Sequence, residues 1–245
     1  MNSDVEVVVI VFLIIFFGTL VGGGLTWFFC RMLKLNSHYI NIFCSGILIG
    51  LIGFELLPET LKHLNYVGVF SGISLGVFFM IAMEGLIHKT KSRFNRESGM
   101  FLLLFTALFF HSIPTGLALG MNVQQQVVNP SVLLAAVFLH HIPEGVILMG
   151  TLINTELKVF IFGVFCFILS LAVSLNALGG LEWQSPSVKF TTILNGTAIG
   201  TLSYVTFYEI LWKQSLYLSK IKVLFITLLG ALLIILFFIL VPVGH

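Results

Sequence analysis

The sequence has 245 residues, of which 58% are hydrophobic and only 9% are charged, and its formal net charge at neutral pH is +2. A soluble domain carries about a quarter charged residues, so this composition excludes an ordinary soluble globule and indicates an integral membrane protein. The small net charge argues against binding to nucleic acid, and the isolated Cys30, Cys44 and Cys166 form neither a CxxC pair nor a disulfide framework.

Apolar runs long enough to cross a membrane follow one another along the whole chain. The hydrocarbon core of a bilayer is about 30 Å thick and requires about 20 apolar residues in a helix. The runs lack the period-two alternation of a membrane barrel. We therefore predict an all-α polytopic membrane protein with a single transmembrane domain over residues 1–245. Its eight spans are expected at approximately 5–29, 39–61, 67–87, 100–121, 131–153, 157–179, 189–212 and 223–243.

The basic residues predict how these spans are oriented. All Lys and Arg residues except Lys62 and Lys189 lie in the loops that follow spans one, three, five and seven. Loops rich in Lys and Arg remain on the cytoplasmic side of a membrane. This distribution predicts that both termini lie outside, in a protein of the cytoplasmic (inner or plasma) membrane.

Ionisable residues inside the spans are few and costly. An ionised side chain at the centre of a membrane helix costs about 2.5–3.5 kcal/mol even on the lower scale. A single such residue is readily explained by a hydrogen bond to a neighbouring helix, whereas a cluster requires a further reason. The residues concerned are Glu55, Glu59, Glu84, His111, His140, His141, Glu144 and Glu209.

Spans four and five bring their polar residues to one depth. His111 lies about 16 Å from the cytoplasmic start of span four, and His140 about 14 Å from the outer start of span five, at 1.5 Å per residue. On span five, His140 and His141 stand four and three residues before Glu144, so all three side chains project toward one side. His111 and Thr115 repeat the four-residue spacing on span four.

Each of these two helices also contains a proline next to the polar residues. Pro114 and Pro143 cannot donate to the carbonyls of Phe110 and Leu139. Imidazole nitrogens and a carboxylate are ligands that suit zinc and neighbouring divalent metals. The sequence therefore predicts a metal site near the middle of the membrane.

The two proline segments resemble each other. "HSIPTGLAL" begins at His111 and "HHIPEGVIL" begins at His140, and they share His, Ile, Pro, Gly and the final Leu. Adjacent spans run in opposite directions, so the segments form an inverted pair. Transporters often bind their substrate between inverted repeats at mid-membrane.

These motifs resemble those of the ZIP (Zrt/Irt-like) family of divalent metal transporters, whose fourth and fifth spans carry H-[NS]-x-P-E-G and [HQ]-x-x-P-E-G. "GFELLPE" from Gly53 and "YVTFYEIL" from Tyr204 resemble the signatures of the second and seventh spans. The resemblance covers the whole chain and is to a short member of bacterial type.

The resemblance implies a fold, a cargo and a ligand set. Its metal site would use His111 on span four with His140, His141 and Glu144 on span five. It implies transport toward the cytoplasm of Zn²⁺, or of Fe²⁺, Mn²⁺ or Cd²⁺, as substrate, with no prosthetic group. It also implies that spans one, four, five and six move past a scaffold of the other four, in a homodimer within the lipid bilayer.

Departures from the family pattern concern a second metal site. Thr115 stands where many members have a bridging glutamate, Ser112 replaces a frequent asparagine, and Asn176 in "NALGG" occupies an acidic position. We therefore expect one metal per chain. The residues expected to have secondary or pathway roles are Ser112, Thr115, Asn176, Glu55, Glu59 and Glu209.

Two other functions compete with transport. An intramembrane metal-dependent hydrolase would need three ligands, an open coordination position and a general base, but the sequence has no HExxH motif and no obvious spare acid beside Glu144. A metal-binding paralogue that does not transport is suggested by Thr115. We expect a transporter and not an enzyme.

Overall fold

The computed structural model describes residues 2–33, 37–89, 96–125, 130–153, 155, 157–183 and 187–240. Within these ranges the ordered elements are helices, and no strand is present. The predicted all-α class is therefore confirmed.

The described residues form eight helical rods, and each predicted span falls on one of them. The rods are α1 (Asn2–Leu33), α2 (Ser37–Leu51, a π-helical turn Ile52–Leu56, then Leu57–His63), α3 (Tyr66–Lys89), α4 (Arg96–Gln125), α5 (Pro130–Leu152), α6 (Val159–Glu182), α7 (Val188–Tyr204, a π-helical segment Val205–Trp212, then Lys213–Ser215) and α8 (Lys220–Leu240).

Five of these helices are long and apolar enough to cross a membrane: α1, α2, α3, α4 and α6. Among the residues described in α5, the apolar stretch Val137–Leu152 is shorter than these five. Large apolar side chains cover the outside of the bundle, including Phe78 at 74%, Phe160 at 81% and Phe225 at 68% exposure. Such a surface suits lipid and not water, so the chain is a polytopic integral membrane protein. The count of eight spans and the orientation of the termini stay predictions.

The helices pack in pairs, α1 with α5, α3 with α7, α4 with α6 and α2 with α8. Membrane helices approach closely where small residues face each other. A Cβ atom added to Gly145 of α5 would lie 2.1 Å from the carbonyl oxygen of Thr19 in α1, and one added to Gly22 of α1 would lie 2.0 Å from that of Ile142. The backbones of α1 and α5 therefore touch directly.

The helices α4 and α6 also pack closely at a glycine. A Cβ atom added to Gly116 of α4 would lie 2.5 Å from the carbonyl oxygen of Val173 in α6. Gly116 directly follows Thr115, as Gly145 directly follows Glu144. Thus α4 packs against α6, and α5 packs against α1, each at a glycine that directly follows a polar residue of the proline segment.

Pro114 and Pro143 lie inside α4 and α5, and neither proline ends its helix. The π-helical segments of α2 and α7 were not predicted from the sequence. They contain Glu55 and Glu209 respectively.

Candidate metal site

Three imidazole rings converge on the carboxylate of Glu144. The Nε2 atoms of His111 and His140 lie 4.0 Å and 3.6 Å from Glu144 Oε1, and Nε2 of His141 lies 3.7 Å from Oε2. All four side chains are at most 13% exposed. The structure thus brings together the four residues that the sequence predicted as metal ligands.

The local sequence of α5 explains most of this arrangement. Spacings of three and four residues place His140, His141 and Glu144 on one side of the helix. His111 comes from α4, and its ring lies 6.2 Å from that of His140, centroid to centroid, at an interplanar angle of 26°. The site is therefore built between α4 and α5.

The donor atoms are close to the spacing that a metal ion requires. One ligand atom each from His111, His140 and Glu144 lie within 4.8 Å of one another. Tetrahedral zinc with bonds of 2.0–2.2 Å separates its ligand atoms by about 3.4 Å. The side chains would have to move inward to close the triad around an ion. His141 lies outside this triad and faces the other oxygen of Glu144.

Hydrogen bonds indicate which ring nitrogens are available to a metal. Nδ1 of His141 lies 2.8 Å from the carbonyl oxygen of Val137; because a carbonyl only accepts, Nδ1 carries the proton, and in the neutral ring Nε2 keeps the lone pair that a metal ion could use. Nδ1 of His140 lies 3.3 Å from Glu55 Oε1. For His111, the buried Nδ1 has no hydrogen-bond partner in the part of the chain that the structure describes.

Three neutral polar residues lie in or near the metal-motif segments. The hydroxyl of Thr115 donates to the carbonyl of His111 at 3.0 Å, and the same oxygen lies 3.4 Å from His111 Nε2. Ser112 donates to the carbonyl of Phe109 at 2.6 Å. Asn176 donates to the carbonyl of Ala172 at 2.8 Å, within α6. Thr115 is thus adjacent to a predicted ligand, whereas the observed bonds of Ser112 and Asn176 are to their own helices.

The three glutamates expected to have pathway roles differ in where the structure places them. Glu55 contacts His140, a contact that the sequence did not predict. This contact also corrects the expectation that no second acid lies beside the cluster, although Glu55 faces Nδ1 and lies outside the close triad. The side chain of Glu59 lies outside the described residues.

Glu209 belongs to a separate cluster on α3 and α7. Nζ of Lys213 lies 2.7 Å from Oε1 of Glu84 and also contacts Glu209, while the hydroxyl of Tyr204 donates to Glu84. Sequence spacing gives only the Glu209–Lys213 part of this cluster, four residues apart on one helix. From its spacing in the sequence, Glu84 was expected to pair with His88, whose side chain lies outside the described residues, and no local spacing indicated its pairing with Lys213.

Imidazole nitrogens with one carboxylate form a borderline donor set that suits zinc and several other divalent transition metals. A family model described as ZIP zinc transporter matches residues 89–237, more than half of the chain, including both proline motifs. No curated protein matches the chain. The chain therefore belongs to the ZIP zinc transporter family, whose members carry divalent metal ions across membranes.

Proposed function

We propose that the protein carries divalent transition metal ions, zinc first among them, across the membrane toward the cytoplasm, through a site formed by His111, His140, His141 and Glu144. The observation that supports this most directly is the convergence of three buried imidazole nitrogens on one buried carboxylate. Keeping such groups at this depth is costly, and binding of a cation offsets that cost.

Charge favours one ion at a time. A dication bound at Glu144 leaves one positive charge uncompensated by the ligands themselves, and the carboxylate of Glu55 behind His140 reduces the remaining field. A second dication about 4 Å away would need a bridging anionic oxygen. Thr115, whose side-chain oxygen lies 3.4 Å from His111 Nε2, offers only a neutral hydroxyl.

The protein's surroundings belong to the same proposal. The distribution of Lys and Arg supports a cytoplasmic membrane with both termini outside. Family membership and the exposed apolar helix faces support a homodimer in lipid. The ligand set supports Zn²⁺, Fe²⁺, Mn²⁺ or Cd²⁺ as cargo.

Uptake of radiolabelled Zn²⁺, Fe²⁺, Mn²⁺ and Cd²⁺ into proteoliposomes tests the proposal. We expect Glu144→Gln and His111→Ala to abolish uptake while the thermal melting of the purified protein stays close to that of the wild type. Glu182→Gln, at the exposed end of α6, serves as the matched control and should transport normally.

Near-normal uptake by both site variants would refute the assignment of the ligands. Metal binding by the wild type with no uptake of any of the four ions would favour the non-transporting paralogue. Chelator-sensitive hydrolysis of a lipid or a peptide by the purified protein would favour the hydrolase.

A further inference from the structure

The ring of His140 lies between two carboxylates that come from two different helices. Its Nδ1 is 3.3 Å from Oε1 of Glu55 on α2, and its Nε2 is 3.6 Å from Oε1 of Glu144 on α5. The His140 and Glu55 side chains are 13% and 12% exposed. One ring nitrogen therefore faces the proposed ion, and the other faces α2.

The π-helical turn of α2 places Glu55 in this position. Within Ile52–Leu56, Ile52 is buried and Phe54 is 62% exposed on the outer surface, while Glu55 reaches His140. Single π turns change which face of a helix the following residues occupy, and they are frequent at functional sites. The wide turn thus lies where α2 contacts the proposed ligand His140.

We propose that Glu55 is a positioning residue that orients His140 and does not itself bind the metal. An ionised carboxylate only accepts hydrogen bonds, and Glu55 at 3.3 Å from Nδ1 is within hydrogen-bond reach, whereas Glu144 at 3.6 Å from Nε2 is beyond it. A proton on Nδ1 would leave the Nε2 lone pair available to an ion. A metal-bound histidine commonly donates its other N–H to a carboxylate in this way, and loss of that partner typically costs about 10–100-fold in affinity. This inference rests on the metal site proposed above.

The three histidines differ in what orients them. His141 is held by the carbonyl of Val137 on its own helix, at 2.8 Å. His111 has no hydrogen-bond partner at Nδ1 among the described residues. His140 is held by a residue of α2, so its orientation depends on how α2 and α5 pack together. A displacement of α5 relative to α2 would release the ring and lower the affinity for the ion.

A double-mutant cycle with Co²⁺ as the probe tests this role. The visible absorption of Co²⁺ bound to the full-length protein in detergent reports both affinity and ligand geometry. We expect Glu55→Ala to lower Co²⁺ affinity by about 10–100-fold in the wild-type background. The same substitution should cause no further loss in a His140→Ala background, whereas the full loss should persist in a His111→Ala background.

Two further variants separate the hydrogen bond from simple attraction of the cation. Glu55→Gln retains an acceptor oxygen without the charge, so it should lose less affinity than Glu55→Ala, and again only when His140 is present. Glu182→Ala removes an exposed carboxylate and should leave the affinity unchanged. Thermal melting checks that each variant folds. If Glu55→Ala does not fold, Glu55→Gln replaces it in the double-mutant cycle.

The possible results distinguish this inference from the proposed function. Equal losses with and without His140 would show that Glu55 acts on the ion directly, and would overturn the positioning role. Wild-type affinity in Glu55→Ala would also overturn it, while leaving the metal site in place. If the wild type binds no Co²⁺, or if Glu144→Gln binds it equally well, the proposed function itself fails.

Discussion

At the scale of single residues, Thr115 is the position from which we predict how many ions the site holds. Its oxygen lies 3.4 Å from His111 Nε2, close enough for a longer acidic side chain at this position to reach an ion bound there. Its hydroxyl is neutral and already donates to the carbonyl of His111. Within the described part of the site, Glu144 is the carboxylate of the close ligand group.

We expect the wild-type protein to bind one metal ion per chain, and Thr115→Glu to bind a second. The added carboxylate would lie between two dications and reduce their repulsion. Equilibrium dialysis with Zn²⁺, followed by metal analysis, measures the stoichiometry. Thr115→Gln, which has a similar size and no charge, should remain at one ion. Two adjacent, fully bound ions in the wild type would contradict this interpretation of Thr115.

At the scale of helices, the glycine within each proline segment provides close packing. Gly145 brings α5 against the backbone of α1, and Gly116 brings α4 against α6. Both glycines directly follow residues of the site, Glu144 and Thr115. The same short motif therefore supplies polar groups on one face of its helix and a contact with a neighbouring helix on another.

We expect Gly145→Ala to destabilise the protein by about 1–3 kcal/mol, because the added methyl group would lie 2.1 Å from the carbonyl oxygen of Thr19. Gly163→Ala on α6 is the matched control, since apart from its own helix backbone no atom of the described residues lies within 4 Å of its added Cβ. Alanine is the better helix former, so the control should melt at the same temperature or higher. Equal melting temperatures for Gly145→Ala and the wild type would contradict direct contact between α1 and α5.

At the scale of the whole molecule, a cluster of charged side chains joins α3 to α7. Lys213 bonds to Glu84 and Glu209, whose side chains are 14% and 4% exposed. Removing the lysine would leave two neighbouring carboxylates without their cation. A broken buried ion pair costs about 3–5 kcal/mol, more than the intact pair contributes.

We expect Lys213→Met to lower the melting temperature of the purified protein, and the double variant Lys213→Met, Glu84→Gln to recover part of the loss. The second change removes one of the two repelling carboxylates. Lys158→Met, at an exposed position before α6, should have little effect. A double variant that melts no higher than Lys213→Met would argue against repulsion as the cause.

The orientation can be tested with single cysteines in a chain whose Cys30, Cys44 and Cys166 are replaced by alanine. Lys62→Cys, before the α2–α3 connection, should react with a membrane-impermeant thiol reagent added to intact cells, because that side is predicted to be outside. Ser219→Cys, between α7 and α8, should react only after the membrane is permeabilised. Both positions are exposed in the structure. The reverse pattern of labelling would invert the predicted topology.

The sequence alone determined the features that depend on local spacing. Long apolar runs predicted where the helices lie, and spacings of three and four residues placed His140, His141 and Glu144 on one side of α5. The equal depth of His111 and His140 predicted that polar side chains of α4 and α5 lie together, because helix rise converts residue number into depth, and the two rings are 6.2 Å apart, centroid to centroid. Glu59 was predicted to have a pathway role that no described side chain tests.

Only the tertiary structure decided which distant residues meet. Neither the apolar pattern nor residue spacing indicated the π turn that contains Glu55, or the contact of Glu55 with His140. The ion pair of Glu84 with Lys213 and its hydrogen bond from Tyr204 likewise depend on the packing of α3 against α7. Such contacts follow from how helix surfaces fit together and not from spacing along one helix, so the sequence predicted the residues that converge at Glu144 but not the contact of Glu55 with His140.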